Sequence, residues 1–162
     1  MPVDVYRIDD RLIHGQVVVG WGQALPLGFI VLVDDAVAAS QWERDLYRLG
    51  TPPDMDLFVE TVDSAVARMD EFKTRPDHGM VLTGDVATMD RLSLALPGLT
   101  RVNLGGLHHR AGCRQRLAYV FLTGADGERL TAMAARGVVI TAQDLPGADE
   151  VPLAELLAGG GG

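Results

Sequence analysis

The strongest constraint on this chain is the regular exchange of short apolar runs for segments of helical spacing. Val3 to Ile8, FIVLV at 29–33, Met55 to Val59, Met80 to Leu82, Arg101 to Leu104, Tyr119 to Leu122 and Val138 to Ala142 each have the length and β-branched or alternating character of a strand. FIVLV is apolar at every position, as a strand buried on both faces must be. Between these runs, apolar residues recur every three or four positions: Trp42, Leu46 and Leu49, then Val62, Ala65, Val66 and Met69, then Val86, Met89 and Leu92, then Leu130 and Met133. Segment 15–25, GQVVVGWGQAL, also reads as helix, weakened by Gly20 and Gly22. The boundaries carry their own chemistry. Ser40 with Glu43 and Thr123 with Asp126 fit capping boxes, Asp85 fits an N-cap, and Gly50, Pro97-Gly98 and Gly137 supply stops. Strands that alternate with helices need crossover connections, so the expected fold is α/β, a mainly parallel central sheet with helices on both faces. Sites in such folds gather beyond the carboxyl ends of the strands.

With 162 residues, 48% of them hydrophobic, the chain is long enough for one well-buried core and shows no repeat or linker. One domain is expected over 1–157, with the Gly-rich 158–162 a disordered tail for want of side chains to pack. No apolar run approaches the roughly 20 residues of a membrane helix. The start, MPVDVYRIDD, lacks the features of a secretory signal, and the single Cys113 has no internal partner, so a cytoplasmic location is expected. A net charge of -8 excludes nucleic acid as the main partner, since phosphate backbones reward clustered cations.

His14 is the residue in this pattern with the most chemistry around it. It lies in RIDDRLIHGQ between the first strand and the first helix, which places it at the sheet's carboxyl edge. The backbone N–H groups of Gly15, Gln16 and Val17 open that helix and suit an anion, while Arg7 and Arg11 add charge in a form that matches phosphate oxygens. An imidazole with an unperturbed pKa near ~6.5 keeps a nitrogen free for attack on phosphorus. Asp9 can orient either Arg11 or the far ring nitrogen, and the sequence leaves both open.

RIDDRLIHGQVVVGW closely resembles the active-site segment of the mannose/fructose/sorbose-family IIB proteins of the phosphoenolpyruvate-dependent sugar phosphotransferase system (PTS). VLVDDAVA, RVNLGG and RGVVITAQDLP are similar to further family segments in the same order, so the likeness spans roughly Pro2 to Leu157. The resemblance implies a transferase in which His14 accepts a phosphoryl group from a phosphohistidine of a IIA protein. It would pass the group to a sugar held by membrane IIC and IID subunits, with Asp9 and Arg11 as supporting acid and base. It further implies no metal or organic cofactor, a peripheral association with the transporter, and allows a homodimer. A protein of the same fold that keeps the phosphoryl group as a regulatory signal is the alternative.

Other signals fit less well. Asp34-Asp35 after FIVLV suggests the acidic pair of a receiver domain, but a whole strand-helix unit precedes it and the lone Lys73 is misplaced for that class. The same pair reads as helix-entry residues facing the mouth of the site. HHRAGCRQR at 108–116 departs from the lysine-containing loop of the family; Arg110 and Arg114 there are candidate contacts, with Asp34 and Asp35, for a partner or sugar phosphate, against a plain solvated loop. His108 and His109 lack the spacing of zinc ligands. Gly20, Gly22 and Leu25 do not make a dinucleotide fingerprint. Gly105-Gly106 reads as a tight turn or a close approach of backbone to phosphate, Trp21 and Trp42 as core residues, and Cys113 as a bystander thiol or one activated by neighbouring arginines.

Overall fold

The computed structural model describes residues 3–158. Strands β1 (Val3–Ile8), β2 (Leu27–Val33), β3 (Asp56–Glu60), β4 (His78–Thr83), β5 (Arg101–Leu104), β8 (Val139–Ala142) and β9 (Val151–Pro152) form one seven-stranded sheet in the order β3-β2-β4-β1-β5-β8-β9. Every pairing in it is parallel except that of the short edge strand β9 with β8. The expected α/β architecture is the observed one.

The alternation of β2 explains its apolar run. Phe29, Val31 and Val33 point into a core with helices α4 (Val62–Lys73), α5 (Val86–Ala95) and α6 (Gly124–Ala135), while Ile30 and Leu32 pack on the other face with Val17 and Trp21. On the first face the rings of Phe29, Phe58 and Phe72 meet at centroid distances of 5.2 to 6.3 Å. The helix ends follow the expected chemistry: Asp85 accepts the Thr88 N–H at 2.7 Å, and Thr123 and Asp126 cap α6 reciprocally. Ser40 accepts the Glu43 N–H at 3.3 Å. The segment after β1 is helical but wider than an α-helix, a π-helical stretch at Gln16–Trp21 that tightens into α1 (Gly22–Ala24).

Three features depart from the sequence reading. Helix α3 (Gln41–Leu49), which follows the single turn α2 (Asp35–Ala38), turns its apolar stripe outward: Trp42 is 71% exposed rather than core, and Leu46 and Leu49 are exposed with it. The run 108–116 is not all loop, because Arg114–Leu117 forms β6, paired antiparallel with β7 (Val120–Leu122) in a hairpin separate from the main sheet. Strand β9 and helix α7 (Leu153–Ala158) extend order past the last expected strand, and Ala158, assigned to the tail, is helical. The remainder of the expected Gly tail, 159–162, lies outside the described residues.

Candidate functional site

β1 occupies the centre of the sheet, and the connection leaving it crosses to one face while the helices after its neighbours β4 and β5 lie on the other. The crevice at such a switch point is open by construction. The backbone pins the loop there. Asp9 N–H donates to Thr83 O at 2.9 Å, Asp10 N–H to Gly106 O at 2.8 Å, and Gly105 N–H to Ile8 O at 2.7 Å. Leu12 N–H closes a turn onto Asp9 O at 3.0 Å with Leu12 at φ +59, a left-handed conformation that costs a bulky residue about 1–3 kcal/mol. Burial of the Leu12 side chain offsets that cost, and the turn sends Leu12 and Ile13 inward while Arg11 and His14 keep partial access to solvent.

The two nitrogens of the His14 ring stand in different surroundings. Nδ1 accepts the Gln16 N–H at 3.3 Å; Nε2 is sealed from solvent and faces Asp9 Oδ1 at 3.3 Å, off the line of a made hydrogen bond. Asp9 is fully buried and serves both groups that the sequence left as alternatives. Its Oδ1 accepts from the Arg11 backbone N–H and Nε at 3.2 Å each, and its Oδ2 from Arg11 Nη2 at 3.1 Å and Arg7 Nη2 at 3.2 Å. Burial alone would push the Asp9 carboxyl up, but the adjacent His14 ring, the hydrogen bonds from Arg11 and the charge of Arg7 outweigh it and hold it well below the usual carboxylate range.

Arg7 does not reach an anion site. Its side chain is fully buried, Nη1 donates to Asn103 Oδ1 and to Gln143 O (3.0 Å), Nη2 donates to Asp9 and to Asp144 O (2.9 Å), and the guanidinium lies 4.7 Å from the Trp21 ring centroid. Burial lowers its pKa, and the charge and hydrogen bond of Asp9 oppose that shift. Arg7 is therefore the counter-charge that lets Asp9 stay ionised inside, in place of the phosphate ligand expected. Arg11, about a third exposed, keeps one side toward solvent and donates to Gln16 Oε1. Of the three helix-opening amides, Val17 N–H is spent on His14 O at 3.0 Å and Gln16 N–H points at the ring. Gly15 stands in open space, where a side chain would meet no atom within 4 Å.

The glycine pair packs against this charge cluster. A Cβ on Gly105 would stand 2.3 Å from Arg7 Nη2 and 2.8 Å from Asp9 Oδ2, and one on Gly106 3.2 Å from Arg11 Nη2. Asp34 caps α2 by accepting the Val37 N–H at 3.0 Å. Asp35 accepts the Val62 N–H at 2.9 Å and pairs with Arg91 at 2.8 Å, so it ties α4 and α5 together. The basic run does approach the site loop: Asp10 accepts the His108 N–H at 2.7 Å, its other oxygen facing the ring. Arg110 pairs with Asp126 at 2.6 Å, and Arg114 opens β6. Sequence reasoning missed Asn103 and Gln143 as holders of Arg7; a lone amide inside the buried strand RVNL was the available signal.

A loop histidine beside a buried carboxylate, at the switch point of a parallel sheet, puts this chain in the class of open α/β domains whose sites lie beyond the strand ends. The chain belongs to the PTS sorbose-subfamily IIB components, whose family model matches residues 3–160. It is 33% identical over 129 residues to the sorbose-specific EIIB component of Klebsiella pneumoniae, covering 78% of this chain and 77% of that one. It is 28% identical to the mannose-specific EIIAB component of Escherichia coli, covering 98% of this chain but 49% of that protein, so it spans about half the length of that relative. Among solved structures, the IIB domain of the K. pneumoniae sorbose permease superposes with a TM-score of 0.88 at 25% identity, covering 98% of this chain and 97% of that one. The N-acetylgalactosamine-specific IIB component 1 of E. coli gives 0.84 at 26%, covering 92% and 97%. These relationships leave no place for the receiver-domain reading of Asp34-Asp35.

Proposed function

We propose that this chain carries a phosphoryl group on His14 Nδ1, taking it from a phosphorylated IIA protein and delivering it to a sugar during uptake through membrane IIC and IID subunits. The carrying observation is the division of labour on the ring: Nε2 is buried against the Asp9 carboxylate, while Nδ1 carries its lone pair toward the Gln16 amide. With Nε2 enclosed beside Asp9 and the lone pair on Nδ1, Nδ1 is the nucleophile. The donor's N–P bond breaks as the Nδ1–P bond forms, and the donor imidazole recovers its electron pair. Asp9 supports the charge that develops on the ring, and Arg11 lies close enough to neutralise the transferring oxygens. Gly15 leaves room for the group, and the Gln16 N–H is free to follow it from the ring to a phosphoryl oxygen. No metal or organic cofactor enters this scheme. The chain works in the cytoplasm, docking peripherally on the transporter; Asp34 and the 108–116 segment, with Arg110 and Arg114, are proposed to border that contact, and a homodimer is compatible with it.

Labelling with phosphorylated IIA tests the assignment. His14→Ala is expected to lose an acid-labile, base-stable phosphate, and full labelling of that variant refutes it. Arg11→Ala is expected to slow transfer by about 10²–10³-fold with the fold intact. Phosphorylated protein added to membranes bearing the transporter subunits should yield sugar phosphate; retention of the label identifies a regulatory carrier instead.

A further inference from the structure

A cavity of about 480 Å³ lies along β1 and β5 beside the first helical segment, and His14 does not line it. Its size falls within the ~300–1,000 Å³ of ordinary ligand pockets. Val5 and Trp21 give it apolar surface; Arg101, Asn103, Gln143 and Glu150 give it polar groups. Arg101 is already paired with Glu150 at 3.1 Å and Asp4 with His78 at 2.5 Å, so the lining leaves no cation over for an anion. That balance disfavours phosphates and other anions. Side-chain amides and a guanidinium–carboxylate pair present donors and acceptors together, which is what hydroxyl groups need, and an indole with an aliphatic neighbour suits the C–H face of a ring.

Three of these residues also hold Arg7. Asn103 Oδ1 and Gln143 O accept from Arg7 Nη1, Asn103 Nδ2 donates to Gln143 Oε1 at 3.1 Å, and Trp21 lies against the guanidinium. Arg7 in turn holds Asp9, which faces His14 Nε2. The buried Arg7 Nε has no hydrogen-bond partner, so the guanidinium is incompletely tied in its present position. We infer that this cavity is a binding site for a small neutral polyol, a sugar being the fitting class, and that occupancy is read at His14 through Asn103, Arg7 and Asp9. The coupling half rests on the phosphoryl-carrier reading above; the binding half does not. An occupant that re-pairs the Asn103 or Gln143 amide changes what holds Arg7, and by reciprocity phosphorylation of His14 changes the affinity of the cavity.

The chain has two tryptophans, so a Trp42→Phe background leaves Trp21 in the cavity wall as sole reporter. This protein is titrated with D-mannose, L-sorbose, N-acetyl-D-galactosamine and inorganic phosphate while Trp21 emission is followed. At least one sugar should give a saturable change that phosphate does not, and Thr100→Phe, which puts bulk into the cavity from an exposed lining position, should abolish it. In parallel, His14 is labelled with phosphoramidate, which needs no protein donor. A bound sugar should change the labelling rate about fivefold or more, and in Thr100→Phe the basal rate should persist without the sugar effect. No saturable response to any of the three sugars at concentrations that fill a millimolar site overturns the binding claim. A response that survives Thr100→Phe, or one given equally by phosphate, does the same. Binding with an unchanged labelling rate overturns the coupling. Failure of phosphoramidate to label His14 at all counts against the carrier reading and leaves the fluorescence result to stand for the cavity by itself.

Discussion

Replacing Asp9 by Asn tests the electrostatic arrangement of the site directly. The carboxylate is the counter-charge paired with Arg7, a cation with no exposed surface, and it also receives three hydrogen bonds from Arg11. Breaking a buried pair from one side costs about 3–5 kcal/mol. The acceptors at Asn103, Gln143 and Asp144 remain to Arg7, and Asn keeps one oxygen, so the low end, about 3 kcal/mol, applies. Against a total of about 5–15 kcal/mol the variant still folds. Urea unfolding at pH 7 should therefore show a lowered midpoint at unchanged slope. Because the folded-state pKa of Asp9 is depressed, its contribution is fully present above the unfolded value of about 3.9 and is lost as pH falls toward the folded one. The gap between wild type and Asp9→Asn should accordingly hold steady from pH 7 to about pH 5 and shrink below it. A gap under about 1 kcal/mol at pH 7, or one that stays constant to pH 3, would show that the carboxylate does not neutralise Arg7 as argued.

Gly105→Ala forces a methyl group to 2.3 Å from Arg7 Nη2 and 2.5 Å from its Cζ, so it should cost about 1–3 kcal/mol and slow His14 labelling, whereas Gly106→Ala meets the yielding end of Arg11 and should be near neutral in the same urea assay. Phe72→Ala removes a fully buried ring packed on Phe29 and Phe58 and should lower stability by about 3–5 kcal/mol; a loss under about 1 kcal/mol would mean the aromatic cluster is not a packed unit. Trp42→Ala should stay within about ±0.5 kcal/mol, the value for an exposed position, and a large loss would place α3 against the core after all.

How far the sequence could be read depended on whether its pattern fixed a direction as well as a period. FIVLV had only one reading, because a strand apolar at every position must be covered on both sides, and the sheet order places β2 inside the sheet. Thr123 and Asp126 were as plain, since a capping box specifies both a start and a phase. Trp42, Leu46 and Leu49 gave a helical stripe but not the side it faces, and α3 turns it to solvent. RQRL at 114–117 gave no strand signal, because β6 leans on a hairpin partner and packs only Leu117 against the core. In the site, His14 was placed by the strand-to-helix junction, while Arg7 was misassigned because a permanent charge reads as a surface group. The correcting signal lay in the period of two. Val5 and Arg7 share one side of β1, and Val5 packs with the core under the first helical segment, so the strand carries the guanidinium inward. A cation so placed needs an acceptor set from nearby strands, and Asp9, Asn103 and the backbone of Gln143 and Asp144 are what the ends of β1, β5 and β8 bring there. The chemistry proposed for His14 thus stands on a charge that strand alternation buried two residues before the carboxylate that faces the ring.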